Sequence, residues 1–202
     1  TVGIEIAPHT PDVVIVPIGG GGLASGVALA LKSQGVRVVG AQVEGVDSMI
    51  RAMKGDVTPV NPVASLADGV RVKVPGFITR RLCAQLLDDV VTVREAELRE
   101  TLVRLALEEH VIAEGAGALA LAAGRRVAGK RKCAVVSGGN IDALVLAQLL
   151  ADIRPRPPRK PRRRASERTR PPLPTVLAPP PNSIVLPSPA LPSDLAVEET
   201  SW

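Results

Sequence analysis

The chain has 202 residues, and its 25 Lys and Arg exceed its 20 Asp and Glu by five charges. That excess lies wholly in residues 154–202, which carry 9 basic and 4 acidic side chains, whereas residues 1–153 carry 16 of each. The net charge therefore gives no reason to class the first 153 residues as a nucleic-acid-binding domain. Two isolated cysteines exclude a disulfide framework and a cysteine metal cluster, so we expect a cytoplasmic protein.

The composition changes abruptly near residue 153. All 18 glycines precede this point, whereas 13 of the 19 prolines follow it. We therefore predict a partial α/β domain at residues 1–153 and a disordered Arg/Pro-rich tail at residues 154–202. Seven basic residues fall within residues 154–164, without the interleaved aromatic residues that stack on bases. We interpret the tail as solvated and expect no nucleic-acid partner.

The first predicted element is a β-branched strand, Val13-Val14-Ile15-Val16-Pro17, which leads into Gly19, Gly20, Gly21 and Gly22. Apolar residues then recur at helical spacing from Leu23 to Leu31. Four residues without a Cβ let backbone N–H groups converge on one point, and a helix N-terminus adds unpaired donors and a positive dipole end. The pattern predicts a phosphate-binding turn.

Other interpretations of this glycine turn are less consistent with its amino-acid sequence. A nucleotide-binding P-loop needs Lys and Ser or Thr after its last glycine, but Val27 and Ala28 follow Gly26. No register of the turn gives a dinucleotide fingerprint, and Pro17 with four glycines would break a membrane-spanning helix. A turn that only packs the strand against the helix stays open as an alternative.

Further elements follow in chain order. Strands are predicted at residues 35–44, 90–93 and 132–136, and helices at 95–109, 115–123 and 141–152. We expect Thr92 and Glu95 to form the capping box of the helix at 95–109. A second glycine turn, Ser137-Gly138-Gly139-Asn140, follows the last strand. Two strands that end in glycine turns predict a parallel sheet with its ligand at the carboxyl edge.

Four motifs now carry a family resemblance: Pro17-Ile18-Gly19-Gly20-Gly21-Gly22-Leu23, Ala67-Asp68-Gly69, Glu114-Gly115-Ala116-Gly117-Ala118 and Ser137-Gly138-Gly139-Asn140. Their order and spacing resemble the threonine/serine dehydratases, which are fold type II pyridoxal-phosphate enzymes and include serine racemase. The resemblance covers residues 1–150. It implies a parallel-sheet, tryptophan-synthase-β-like large domain, of which this chain holds a part.

The resemblance also implies a cofactor site for pyridoxal 5'-phosphate. Backbone N–H groups of Gly19, Gly20, Gly21, Gly22 and Leu23 would hold the phosphate. Ser137 would bond the pyridine nitrogen, and Gly138 and Asn140 would shape the turn that aims its hydroxyl. Taken alone, Ser137 is better explained as the N-cap of the helix at 141–152.

Three acidic residues have lesser implied roles. Glu114 resembles the family's acidic residue near the cofactor ring, although by itself it suits a helix N-terminus. Asp68 would order a turn beside the cofactor. Glu44 matches a position that ligates a divalent cation in some relatives, but no second acidic ligand is evident. We predict no metal site and interpret Glu44 as a carboxylate at a strand end.

One expected motif is absent from the 202 residues. These enzymes join the cofactor to a lysine in a Ser-x-Lys-x-Arg-Gly segment, and no such segment occurs here. We therefore predict the C-terminal portion of a threonine or serine ammonia-lyase, inactive alone and homo-oligomeric when complete. Alternatives are a racemase or β-replacement relative, and a non-catalytic binding remnant with a basic interaction tail.

Overall fold

The computed structural model describes residues 1–152. The predicted disordered tail at residues 154–202 lies outside this range. The strands are β1 (Val13–Pro17), β2 (Arg37–Val43), β3 (Asp89–Val93) and β4 (Lys132–Ala134). The helices are α1 (Val2–Ile6), α2 (Gly22–Leu31), α3 (Ser48–Met53), α4 (Phe77–Leu86), α5 (Glu95–Glu108), α6 (Gly115–Ala123) and α7 (Ala143–Ala151).

The strands form one parallel sheet in the order β3-β2-β1-β4. All five residues of β1 are buried, as its central place in the sheet and its apolar sequence require. Because every strand runs the same way, the segments after β1, β2 and β4 leave the sheet at one edge. The predicted α/β fold is confirmed.

Alternate residues of β1 enter different layers of the core. Val13 and Ile15 pack in one cluster with α5 and α6, whereas Val14 and Val16 pack in a second cluster with α2 and α4. The sheet therefore carries helices on both faces. None of the described helices has the length and apolar character needed to cross a membrane.

Two local predictions at helix starts were wrong. Thr92 pairs within β3, so α5 has its N-cap at Arg94, whose N–H donates to Glu97 Oε2 at 2.9 Å. Strand pairing extends to Val93, and at Arg94 only the glutamate half of a capping box forms, because an arginine side chain has no acceptor. Similarly, α7 is capped by Asp142, which accepts from two backbone N–H groups, so Ser137 is not its N-cap.

Helices α3 and α4 were not predicted, and strands β2 and β4 are shorter than expected. Helices α3 and α4 lie between β2 and β3, a region that the sequence analysis left unassigned. Strand β4 ends at Ala134 instead of residue 136, although Val135 N–H still donates to the Ile15 carbonyl at 3.0 Å. The backbone then turns toward the start of α6.

Candidate functional site

The glycine turn connects β1 to α2 at the carboxyl edge of the sheet. Gly21 is the N-cap of α2 with φ of 90°, a backbone conformation that residues with a Cβ rarely adopt. The first helical bond runs from Ser25 N–H to the Gly21 carbonyl. Within the described part of the chain, the N–H groups of residues 19–23 meet no acceptor. The turn therefore presents a set of free donors at a helix N-terminus.

The space above the turn is open. A Cβ placed on Gly20 or on Gly22 would have no heavy atom within 4 Å. A Cβ on Gly21 would instead lie 2.6 Å from Met49 Cε, on the buried side of the turn. The turn is thus packed below and open above, which is the shape of a cradle for an anionic group.

Helix α4 supports the turn from below. The Thr79 hydroxyl donates to the Gly20 carbonyl, and Cys83 Sγ lies 3.9 Å from the Gly21 carbonyl oxygen. This support was not predicted from the sequence. The available signal was the spacing of Thr79, Cys83 and Leu86, which places the three residues on one helical face after Gly76.

Cys83 is a packing residue at this position. Its side chain is fully buried, and burial raises the pKa of its thiol to about 11 from an ordinary 9.0. The thiol is therefore neutral at physiological pH and a poor nucleophile.

The four motifs meet in one continuous run of contacts. A Cβ on Gly19 would lie 3.0 Å from Val70 Cα and 3.3 Å from the Gly69 carbonyl oxygen. A Cβ on Gly69 would in turn lie 3.2 Å from Ala116 Cβ and 3.9 Å from Glu114 Oε1. Segments far apart in sequence are therefore assembled around the glycine turn.

The second glycine turn completes this assembly from the neighbouring strand β4. Glu114 N–H donates to the Gly138 carbonyl at 3.1 Å, and the Glu114 carboxylate occupies the space where a Gly138 Cβ would lie. Ser137 is half-buried, and its N–H donates to the Gly117 carbonyl at 3.4 Å. Glu114, Asp68 and Asn140 line a cavity of about 170 Å³.

The remaining acidic candidates, Asp68 and Glu44, follow different segments of the domain. Asp68 begins a short 3-10 turn, Asp68–Val70, and its Oδ1 accepts from Gly69 N–H at 2.8 Å. Glu44 follows β2 with an exposed side chain, while its N–H donates to the Val93 carbonyl at 2.8 Å. Residues 1–152 contain no group of three His, Cys, Asp or Glu side chains that could hold a metal ion.

Two of the five lysines in residues 1–152, Lys32 and Lys132, lie away from the glycine turns. Lys32 pairs with Asp88 at 2.7 Å, just before the start of β3. Lys132 begins β4 and donates to the Gly124 carbonyl at 2.8 Å. Both side chains therefore lie near the amino ends of the strands, opposite the edge that carries the turns.

A parallel α/β sheet with an open glycine cradle at its carboxyl edge defines a cofactor- or phosphate-binding fold. The family described as pyridoxal-phosphate dependent enzyme matches residues 1–138, and the chain belongs to that family. The predicted family, fold type and cofactor class are confirmed.

Individual relatives agree with this assignment. An L-threonine ammonia-lyase of Thermotoga maritima is 42% identical over 158 residues, which cover 74% of this chain and 39% of that protein. A catabolic L-threonine dehydratase of Escherichia coli is 40% identical over 160 residues, which cover 74% of this chain and 49% of that protein. The chain thus spans less than half the length of these curated relatives.

Solved structures share the fold. The processed form of threonine deaminase isoform 2 from Solanum lycopersicum superposes with a TM-score of 0.68 at 30% identity, covering 76% of this chain and 48% of that one. Maize serine racemase superposes with a TM-score of 0.65 at 31% identity, covering 73% of this chain and 50% of that one.

Proposed function

We propose that this chain forms the cofactor-binding part of an ammonia-lyase that converts threonine or serine to a 2-oxo acid and ammonia. The observation that carries this proposal is the open glycine turn and its continuous packing with the other three motifs. The names of the two curated relatives, both threonine-degrading enzymes, support the substrate class.

The residues present fit pyridoxal phosphate. The free N–H groups of residues 19–23 would hold its phosphate, and the open space above Gly20 and Gly22 would admit it. When bound, the cofactor supplies an electron sink for the charge that develops at the substrate α-carbon. Ser137 would bond the ring nitrogen from the neighbouring strand, and Gly138 and Asn140 would set the path of its turn.

The kind of group at Ser137 influences the reaction. A neutral hydroxyl leaves the ring nitrogen unprotonated more often than a carboxylate would, which makes the electron sink moderate. A moderate sink favours loss of the β-hydroxyl over prolonged charge at the α-carbon. Glu114, held beside Gly138 and Gly69, would place a carboxylate near the ring without contacting the phosphate.

We propose that the 202-residue polypeptide does not turn over substrate by itself. The sequence holds no Ser-x-Lys-x-Arg-Gly segment, and Lys32 and Lys132 lie near the opposite edge of the sheet. A lysine amine at the site is the group that would move the α-proton.

A racemase of the same fold is the second candidate. The likeness to maize serine racemase, at 31% identity, is as high as that to the threonine deaminase, at 30%. The two reactions share the cradle and differ in whether the β-hydroxyl leaves.

Titration of the purified chain with pyridoxal phosphate, followed by addition of L-threonine or L-serine, tests these proposals. We expect saturable cofactor binding and no 2-oxo acid in a coupled reductase assay. Failure to bind the cofactor would overturn the proposed function. Release of 2-oxo acid would refute the proposed inactivity, and D-serine formation from L-serine would favour the racemase.

The organisation of the protein completes the proposal. We take residues 1–153 as the cofactor-binding unit and residues 154–202 as a separate tail, in a cytoplasmic homo-oligomeric enzyme. The exposed side chains of Phe77 and Ile78, at 60% and 70%, support a further apolar contact. Limited proteolysis that leaves a stable fragment ending near residue 153, and sedimentation above the monomer mass, would support these assignments.

A further inference from the structure

Glu95, the first residue of α5, binds a loop that lies far from it in sequence. Its Oε2 accepts from the Ser65 hydroxyl at 2.7 Å, and its Oε1 accepts from Leu66 N–H at 2.8 Å. The Ser65 hydroxyl oxygen in turn accepts from Ala67 N–H at 3.0 Å. One carboxylate therefore orders three consecutive residues, and we call these three hydrogen bonds the Glu95 clasp.

The clasped loop continues directly into the candidate site. The Ala67 carbonyl accepts from Val70 N–H at 3.1 Å, and Ala67 is fully buried. Val70 Cα is the atom nearest to the place where a Gly19 Cβ would lie, at 3.0 Å. A displacement of the clasped loop would therefore be passed to the backbone of the phosphate cradle through the single contact between Val70 and Gly19.

The same loop also contacts the other half of the site. A Cβ on Gly115, at the start of α6, would overlap the Leu66 carbonyl oxygen. Gly69 approaches Ala116 and Glu114, and Ser65 and Leu66 line the same cavity as Asn140 of the second glycine turn. The loop thus lies between the two glycine turns.

Because this loop contacts both halves of the site, the residue that fixes the loop sets their separation. We propose that Glu95 is a positioning residue that, through Ser65, holds the loop at 65–70 between the glycine cradle and the second glycine turn. Among residues 1–152, the hydrogen bonds of the Glu95 carboxylate go to Ser65 and Leu66 and not to either turn, so its effect passes through the loop. This inference rests on the proposed function only for its ligand readout.

Ser65→Ala tests the clasp without removing the acidic residue from the start of α5. It deletes the Ser65 to Glu95 bond and the Ala67 to Ser65 bond. Thr101→Val is the matched control. It deletes a hydroxyl hydrogen bond of similar length, from Thr101 to the Glu97 carbonyl at 2.8 Å, and Thr101 lies in α5 like Glu95. Ser65→Thr retains a hydroxyl and serves as the rescue variant.

Two readouts are measured for each variant: amide hydrogen exchange at Ala67 and Val70, and pyridoxal phosphate affinity. In Ser65→Ala we expect both amides to exchange about tenfold faster and the pyridoxal phosphate affinity to fall about tenfold. Each tenfold change corresponds to a free-energy difference of about 1.4 kcal/mol. We expect Thr101→Val to leave both readouts within about twofold, and Ser65→Thr to restore them.

The outcomes separate this inference from the proposed function. Unchanged exchange in Ser65→Ala, or equal loss of affinity in Ser65→Ala and Thr101→Val, would overturn the positioning role. A wild-type chain that binds no pyridoxal phosphate would overturn the proposed function instead, while the exchange data would still decide whether the clasp orders the loop.

Discussion

The bond between Thr79 and the Gly20 carbonyl gives the sharpest prediction about the cradle. Thr79→Val preserves the shape of the side chain but removes the donor, so a half-buried carbonyl in the turn loses its partner. A neutral hydrogen bond contributes about 1 kcal/mol, and a fully buried carbonyl left without its donor costs about 1–3 kcal/mol. The Gly20 carbonyl belongs to a half-buried residue, so the cost falls at the lower end of that range. We expect the free energy of unfolding to fall by about 1–2 kcal/mol.

The same change should weaken ligand binding, because the turn must then be ordered by the phosphate. If half of that free energy appears in binding, pyridoxal phosphate affinity falls about twofold to fivefold. Urea unfolding gives the stability and a fluorescence titration gives the affinity. Thr79→Ser keeps the hydroxyl and is expected to retain wild-type affinity.

A Thr79→Val variant that loses stability but binds the cofactor as tightly as Thr79→Ser would refute this reasoning. That result would mean that the turn keeps its geometry without support from α4.

Three further predictions concern stability. Gly21→Ala places a Cβ against Met49 Cε at positive φ, so it should lower the free energy of unfolding in a urea titration by about 2 kcal/mol or more. Gly26→Ala places a Cβ in open space, so it should raise the free energy of unfolding by about 0.4–1 kcal/mol. Burial raises the pKa of the Cys83 thiol to about 11, so the folded state keeps a proton that the unfolded chain loses near pH 9. Wild-type stability should therefore fall between pH 9 and 11 more steeply than that of Cys83→Ala, and equal pH profiles would refute this. Asp142→Ala should cost about 1 kcal/mol in thermal unfolding through loss of the α7 cap, and Asp142→Ser should recover most of it.

The elements with a regular local pattern could be predicted from the sequence. The β-branched run of β1 and the small-residue helix α6 were placed at their observed positions, because strand propensity and a capping position act over a few residues. The four motifs were recognised as one family site because their order and spacing along the chain resemble one family.

The supports of the site could not be predicted in this way. Thr79 reaches Gly20 across 59 positions and Glu95 reaches Ser65 across 30, so neither contact leaves a local signal. The start of α5 at Glu95 was predicted correctly, but its N-cap was assigned to Thr92 instead of Arg94. Pairing of β3 with β2 keeps Thr92 in the strand, so tertiary contacts outweighed a local capping pattern.

The central claim is that glycines 19–22 hold the phosphate of pyridoxal phosphate. Gly20→Ala and Gly26→Ala form a matched pair, because neither new Cβ would meet an atom within 4 Å, yet only the first lies in the turn. The most direct measurement is the pyridoxal phosphate affinity of both variants and the wild type. We predict that Gly20→Ala weakens binding at least about tenfold and that Gly26→Ala leaves it unchanged. The binding free energies of the two variants then differ by at least about 1.4 kcal/mol. Equal affinities in the two variants would contradict the assignment of the phosphate to this turn.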